Sequence, residues 1–344
     1  MSKPSEPDEV IRLAYRSATG ASAEVLATGR AWRIGRHGLM SRILDGSDGQ
    51  PQMVQYARAA GPSATGPTPY RLLDNQARAG VRIHRRYHGQ PPAGLPWLVG
   101  YDLDGATPFV LWRHWSGRTA AQVAGQLLVN QRHEFEAGLF RCLLQLTAAG
   151  VVHGGIDTDT VGWDGRDVRL MDLSTAVVAG EPYSVPDAVA APRRPDGAAD
   201  PADDILAAGL LMYQLVTGRP AGSEQPPRPD PQSPLAVMLE GVFLADPAAR
   251  PDAARMLRRL GAPTELPPGP AEPDPGLVAG AAAFDEERAR KAALWQEISR
   301  RAAAETGPSA AGARPRRAAS LLLGTAVLAL VGLVAVICLV GVFR

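Results

Sequence analysis

The side chains best placed to do acid–base or metal chemistry fall in one stretch, VVHGGIDTDTVGWDGRDVRLMDLS, which runs from Val151 to Ser174. It contains His153, Asp157, Asp159, Thr160 and Asp172. A carboxylate here could take a proton from a hydroxyl, and another could hold a divalent cation. The pattern reads as a short strand, a loop with a lone His, a second strand, an Asp164-Gly165 turn and a third strand that runs apolar up to Asp172.

Other elements must hold that stretch in place. Residues 10 to 58 alternate β-like runs (Ala23 to Thr28, Ala31 to Ile34, Ser41 to Asp45, Gln52 to Arg58) with glycine-containing turns. A helix is predicted over Tyr70 to Tyr87, then two strands within residues 96 to 116. Helices follow at Thr119 to Leu128, Gln131 to Ala149, Ala202 to about Pro220, and Asp252 to Leu260. The expected class is α+β, with a β-rich first part and a helical second part.

The motifs resemble those of bacterial, eukaryotic-type serine/threonine protein kinases over roughly residues 20 to 262. The stretch at His153 is similar to the catalytic loop H-R-D-x-K-x-x-x-N, followed by a hairpin and D-F-G. The run ADDILAAGLLMYQLVTGRP, Ala202 to Pro220, is similar to the family's central helix, and LADPAARP, Leu244 to Pro251, to its L-x-x-D-P-x-x-R-P turn. The resemblance implies a two-lobed fold, with an N-lobe of about 21–115 and a C-lobe of about 116–262. It also implies which positions have lost their chemistry. Gly155 stands for the catalytic Asp, Asp157 for the loop Lys, and Thr160 for the metal-binding Asn. Gln55 stands for the phosphate-gripping Lys and Gln76, opposite it, for the Glu that pairs with that Lys. Asp172 is kept as a weak metal ligand, and His153, Asp204 and Arg250 as structural residues. Arg193 replaces the usual partner of Arg250, so Asp196 or Asp200 is expected to serve instead. Trp112 and Trp115 either pack at the lobe junction or crowd the cleft.

Composition agrees with lost chemistry. The only lysines are Lys3 and Lys291, whereas phosphoryl transfer in this family needs an ammonium on the phosphates. A formal net charge of +1 makes no case for nucleic acid, and two cysteines, Cys142 and Cys338, make no disulfide or zinc framework.

The remaining segments are a polar tail (1–20), a Pro/Gly-rich linker (263–280), a charged helix (281–305) read as solvated, and a basic linker (306–317). Residues 318–343 are uncharged and exceed the roughly 20 residues a membrane helix needs. Arg314, Arg316 and Arg317 before this segment predict a single-pass inner- or plasma-membrane protein with a cytoplasmic N-terminal part.

The functional expectation is a membrane-tethered pseudokinase. It binds a protein partner, such as an active kinase, its substrate or an envelope assembly, with little or no phosphoryl transfer and no required cofactor. The alternatives are ATP–Mg binding without turnover, or an atypical transferase using Asp157 or Asp159 as base.

Overall fold

The computed structural model describes residues 9–47, 52–58, 67–183, 197–219, 227–267 and 274–305. Contacts divide the chain into two units, 1–288 and 289–344.

The first unit opens with five strands: β1 (Glu9–Arg16), β2 (Ser22–Gly29), β3 (Arg33–Ile34), β4 (Leu39–Gly46) and β5 (Met53–Arg58). Helix α1 (Pro67–Arg86) and strands β6 (Leu98–Asp102) and β7 (Phe109–Arg113) follow. Six of these strands form a closed antiparallel ring in the order β2-β1-β6-β7-β5-β4, completed by β2–β4 pairing through Ala27↔Gly46, Thr28↔Asp45 and Gly29↔Leu44. Val25, Leu44, Met53, Phe109 and Leu111 fill the ring with apolar side chains.

This corrects the expected architecture. The first part is a barrel without open edges, not the small sheet of a two-lobed kinase-like fold. The closing element is β1, which begins inside the stretch read as a polar tail. Its alternation of Ile11, Leu13 and Tyr15 toward the barrel with Val10, Arg12 and Ala14 outward is strand-like, but the arginines make it look polar in a linear reading. No helix among the described residues is long and apolar enough to cross a membrane; the predicted span at 318–343 lies outside them.

The rest of the first unit is mainly helical. It contains β8 (Arg118–Thr119), α2 (Ala120–Val123), α3 (Val129–Ala148), β9 (Val151–Val152), β10 (Val161–Trp163), β11 (Val168–Leu170) and β12 (Val177–Val178). Helices α4 (Pro201–Thr217), α5 (Pro234–Met238) and α6 (Ala253–Arg259) come next. Helix α2 is a single turn, shorter than the predicted Thr119 to Leu128, because Gly125 turns the chain away at φ 71°. Helix α4 follows its apolar pattern closely. Asp200 caps it by accepting from Ala202 N–H at 2.9 Å, Pro201 opens it, and Gly218 ends it in the left-handed region at φ 69°.

The last helix, α7 (Pro275–Glu305), starts within the predicted linker. Asp274 accepts from the N–H groups of Gly276 at 2.8 Å and Leu277 at 3.4 Å, so Pro275 is a first-turn proline. Residues 275–288 are not a solvated face. Leu277, Ala281 and Phe284 are buried, and the Phe284 ring meets that of Tyr101 edge-on at 5.3 Å. Asp285 accepts from Arg78 at 3.0 Å and Arg82 at 3.1 Å, while Arg288 donates to Asp74 at 2.7 Å. These contacts fix the start of α7 to α1. In the second unit the described residues continue as helix, with Arg300 paired to Glu297 at 2.8 Å.

Candidate functional site

The loop between β9 and β10 carries the predicted site residues, and α4 holds it from beneath. Asp204, buried in the first turn of α4, accepts from the backbone N–H of His153 at 2.7 Å and of Gly154 at 2.9 Å. Gly154 is at φ 66°, where glycine carries no steric penalty. Burial pushes the Asp204 carboxyl up to about 7, outweighing the two donors that favour its charge. The His153 ring is fully buried, with Nε2 2.9 Å from the carbonyl oxygen of Met171. Burial lowers its pKa, and among the described residues its Nδ1 has no hydrogen-bond partner.

The residues expected to mark lost chemistry are occupied. A Cβ at Gly155 would stand 2.5 Å from Thr175 Oγ1, so no longer side chain fits there without displacing the hydroxyl. Thr175 is buried and donates to the His153 carbonyl oxygen at 3.1 Å. Asp157 is spent on its own turn. Its Oδ1 accepts from Asp159 N–H at 2.9 Å and Thr160 N–H at 3.0 Å, and its Oδ2 pairs with Arg36 at 2.7 Å. Arg36 belongs to the short turn between β3 and β4, so this pair ties the barrel to the loop. Thr160 is buried and donates to the Gly155 carbonyl oxygen at 2.8 Å. Asp159 is exposed.

Asp172 adopts the left-handed region at φ 53° and caps the short turn Leu173–Thr175 by accepting from Ser174 N–H at 3.2 Å. Asn75 of α1 reaches the same turn and donates to the Ser174 carbonyl oxygen at 2.8 Å. Burial, and then the charge of Asp172, raise the pKa of Tyr56. Among the described residues there is no group of three or more His, Cys, Asp or Glu side chains that could share a metal ion.

Gln55 and Gln76 do not face each other. Strand alternation turns Met53, Gln55 and Ala57 of β5 inward, and Gln55 accepts from Arg42 Nε, its partner in register on β4, at 2.8 Å. Arg42 also lies 4.3 Å from the Trp32 ring centre, filling that end of the barrel. Gln76, on α1, accepts instead from the indole N–H of Trp112 at 2.7 Å.

Trp112 is buried, with its ring in the space a Cβ on Gly80 would need. The Trp115 ring lies against Gly162 and Gly117, in the space their Cβ atoms would need.

The Arg250 side chain is fully buried and reaches Asp203 at 3.4 Å. It also donates to the carbonyl oxygens of Leu244 at 2.9 Å and Ala202 at 3.2 Å. Asp203 accepts in addition from the Tyr183 hydroxyl at 2.9 Å. Arg193 and Asp196 lie outside the described residues. Sequence reasoning missed Thr175, Arg36, Asn75 and Asp203. Only Asp203 left a signal, as a second carboxylate in the first turn of a buried helix.

With this geometry in hand, comparison with known proteins adds no family: no family model matches the chain, and no curated protein does.

Proposed function

We propose that this chain is a non-catalytic binding module that regulates a protein partner, held at the inner face of a membrane by residues 318–343. Its resemblance to protein kinases is a likeness of motifs whose reacting residues are replaced. The observation that carries the reading is Thr175 against Gly155. The position from which a base would act has no side chain, and a neighbouring hydroxyl holds the space. Three further arrangements support it. Asp157 is committed to Arg36, Gln55 to Arg42, and the Trp115 ring lies on Gly162. Phosphoryl transfer is almost wholly positioning and charge neutralisation, and these groups position and neutralise one another instead.

The test is incubation of the full chain with Mg2+ and γ-labelled ATP, alone and with generic protein acceptors. No label on the chain or the acceptors above a no-protein blank is expected. Stoichiometric labelling that is lost in Asp159→Asn would overturn the reading.

A further inference from the structure

Arg78 of α1 is the meeting point of two segments far apart in the chain. Its Nη1 and Nη2 donate to the two carboxylate oxygens of Glu181, at 2.5 and 2.9 Å, while its Nε donates to Asp285 Oδ1 at 3.0 Å. The nitrogens of one guanidinium are thus divided between α7 and the segment after β12, and that side chain is only 12% exposed. Arg82 donates to the other oxygen of Asp285 at 3.1 Å, and Arg288 to Asp74 at 2.7 Å. Asp74, Glu181 and Asp285 therefore balance Arg78, Arg82 and Arg288.

Glu181 lies on a short closure of the chain before α4. Its carbonyl oxygen accepts from Ala199 N–H at 2.8 Å, Gly180 N–H donates to the Ala199 carbonyl oxygen at 2.9 Å, and Pro182 bridges to Ala198. Upstream, β12 pairs with β9 through Val177↔Val152 and Val178↔Val151, directly after the turn that carries Thr175. A small cavity lined by Arg78, Val178, Glu181, Pro182 and Arg288 adjoins these contacts. The Glu181 end of the segment is therefore held to α1 more by its ion pair than by close packing.

A planar guanidinium turns as one body. The bond from Nε to Asp285 fixes the plane in which the fork meets Glu181, and the bidentate contact with Glu181 fixes the direction of Nε in turn. Losing either carboxylate lets the side chain re-aim and weakens its hold on the other.

We propose that Arg78 is a relay that couples α7 to residues 177–181, so that a partner displacing the start of α7 loosens that segment and the closure before α4. Such a coupling is reciprocal: loosening the segment also weakens the seat of α7. The relay does not depend on whether the loop at His153 is inert.

The test is hydrogen–deuterium exchange of the full chain, read at the amides of 177–181 and 281–288, with α4 as the reference for global opening. Asp285→Ala should speed exchange at 177–181 about threefold, and Glu181→Ala should speed it at 281–288 by a similar factor, with α4 unchanged. In an Arg78→Gln background neither substitution should alter the other segment. Glu297→Ala, which removes an ion pair elsewhere on α7, should leave 177–181 as it is. The proposal is overturned by transmission in neither direction or in one direction only, by effects matched in α4 or by Glu297→Ala, or by effects that persist in Arg78→Gln.

Discussion

The hydroxyl of Thr175 stands where a side chain on Gly155 would have to go. A Cβ at Gly155 would lie 2.5 Å from Thr175 Oγ1, and that hydroxyl already serves the His153 carbonyl. Gly155→Asp is therefore an overpacking change in a buried loop, not the return of a base. It should lower stability by about 2 kcal/mol in denaturant unfolding and produce no phosphoryl transfer.

The Arg250–Asp203 pair has both side chains fully buried. Removing one partner strands the other. Arg250→Met should cost about 3–5 kcal/mol in chemical denaturation, and Arg250→Met with Asp203→Asn should cost less than the sum of the two single changes. Tyr183→Phe, which loses one hydrogen bond to Asp203, should cost only about 1 kcal/mol.

The pH dependence of stability should carry the signature of His84. Burial, and then the Arg113 charge, push its pKa down to about 4 from the ordinary 6.5. Between those values the unfolded chain takes up a proton that the folded chain refuses. This stabilising contribution is thus complete above about pH 6.5 and is lost as the pH falls toward 4. The loss amounts to roughly 3 kcal/mol at the acid end. His84→Phe should flatten that part of the stability–pH curve.

The start of α7 should behave as part of the first unit. Phe284→Ala should lower stability by about 3 kcal/mol, and a chain ending at residue 267 should be less stable than one ending at 305. Equal unfolding midpoints for the two truncations would show that α7 contributes nothing to the first unit.

What could be read directly from sequence was local and strongly patterned. Helix α4 announced itself through Asp200-Pro201, a continuous apolar run and Gly218, and Asp204 came with it. The positions of His153 and Asp172 followed from the hairpin between them. What could not be read depended on closure in three dimensions. The β2–β4 pairing makes a barrel, and the register of β5 against β4 sets Gln55 opposite Arg42. The arginines of β1 hid its inward face. Pro275 read as a linker residue because its role at a helix start depends on Asp274 and on the α1 surface beneath it. The partner of Arg250 was sought in sequence among Asp196 and Asp200, whereas helix geometry brought Asp203 to it.

The most direct test of a non-catalytic module is the thermal midpoint of the full chain across Mg2+-ATP concentrations up to millimolar, in a buffer without other oxyanions. Sodium chloride should hold ionic strength constant. Binding to the folded state must raise the midpoint by mass action. The account predicts no saturable, metal-dependent rise. A rise that saturates, requires Mg2+ and disappears in Asp172→Ala would contradict it.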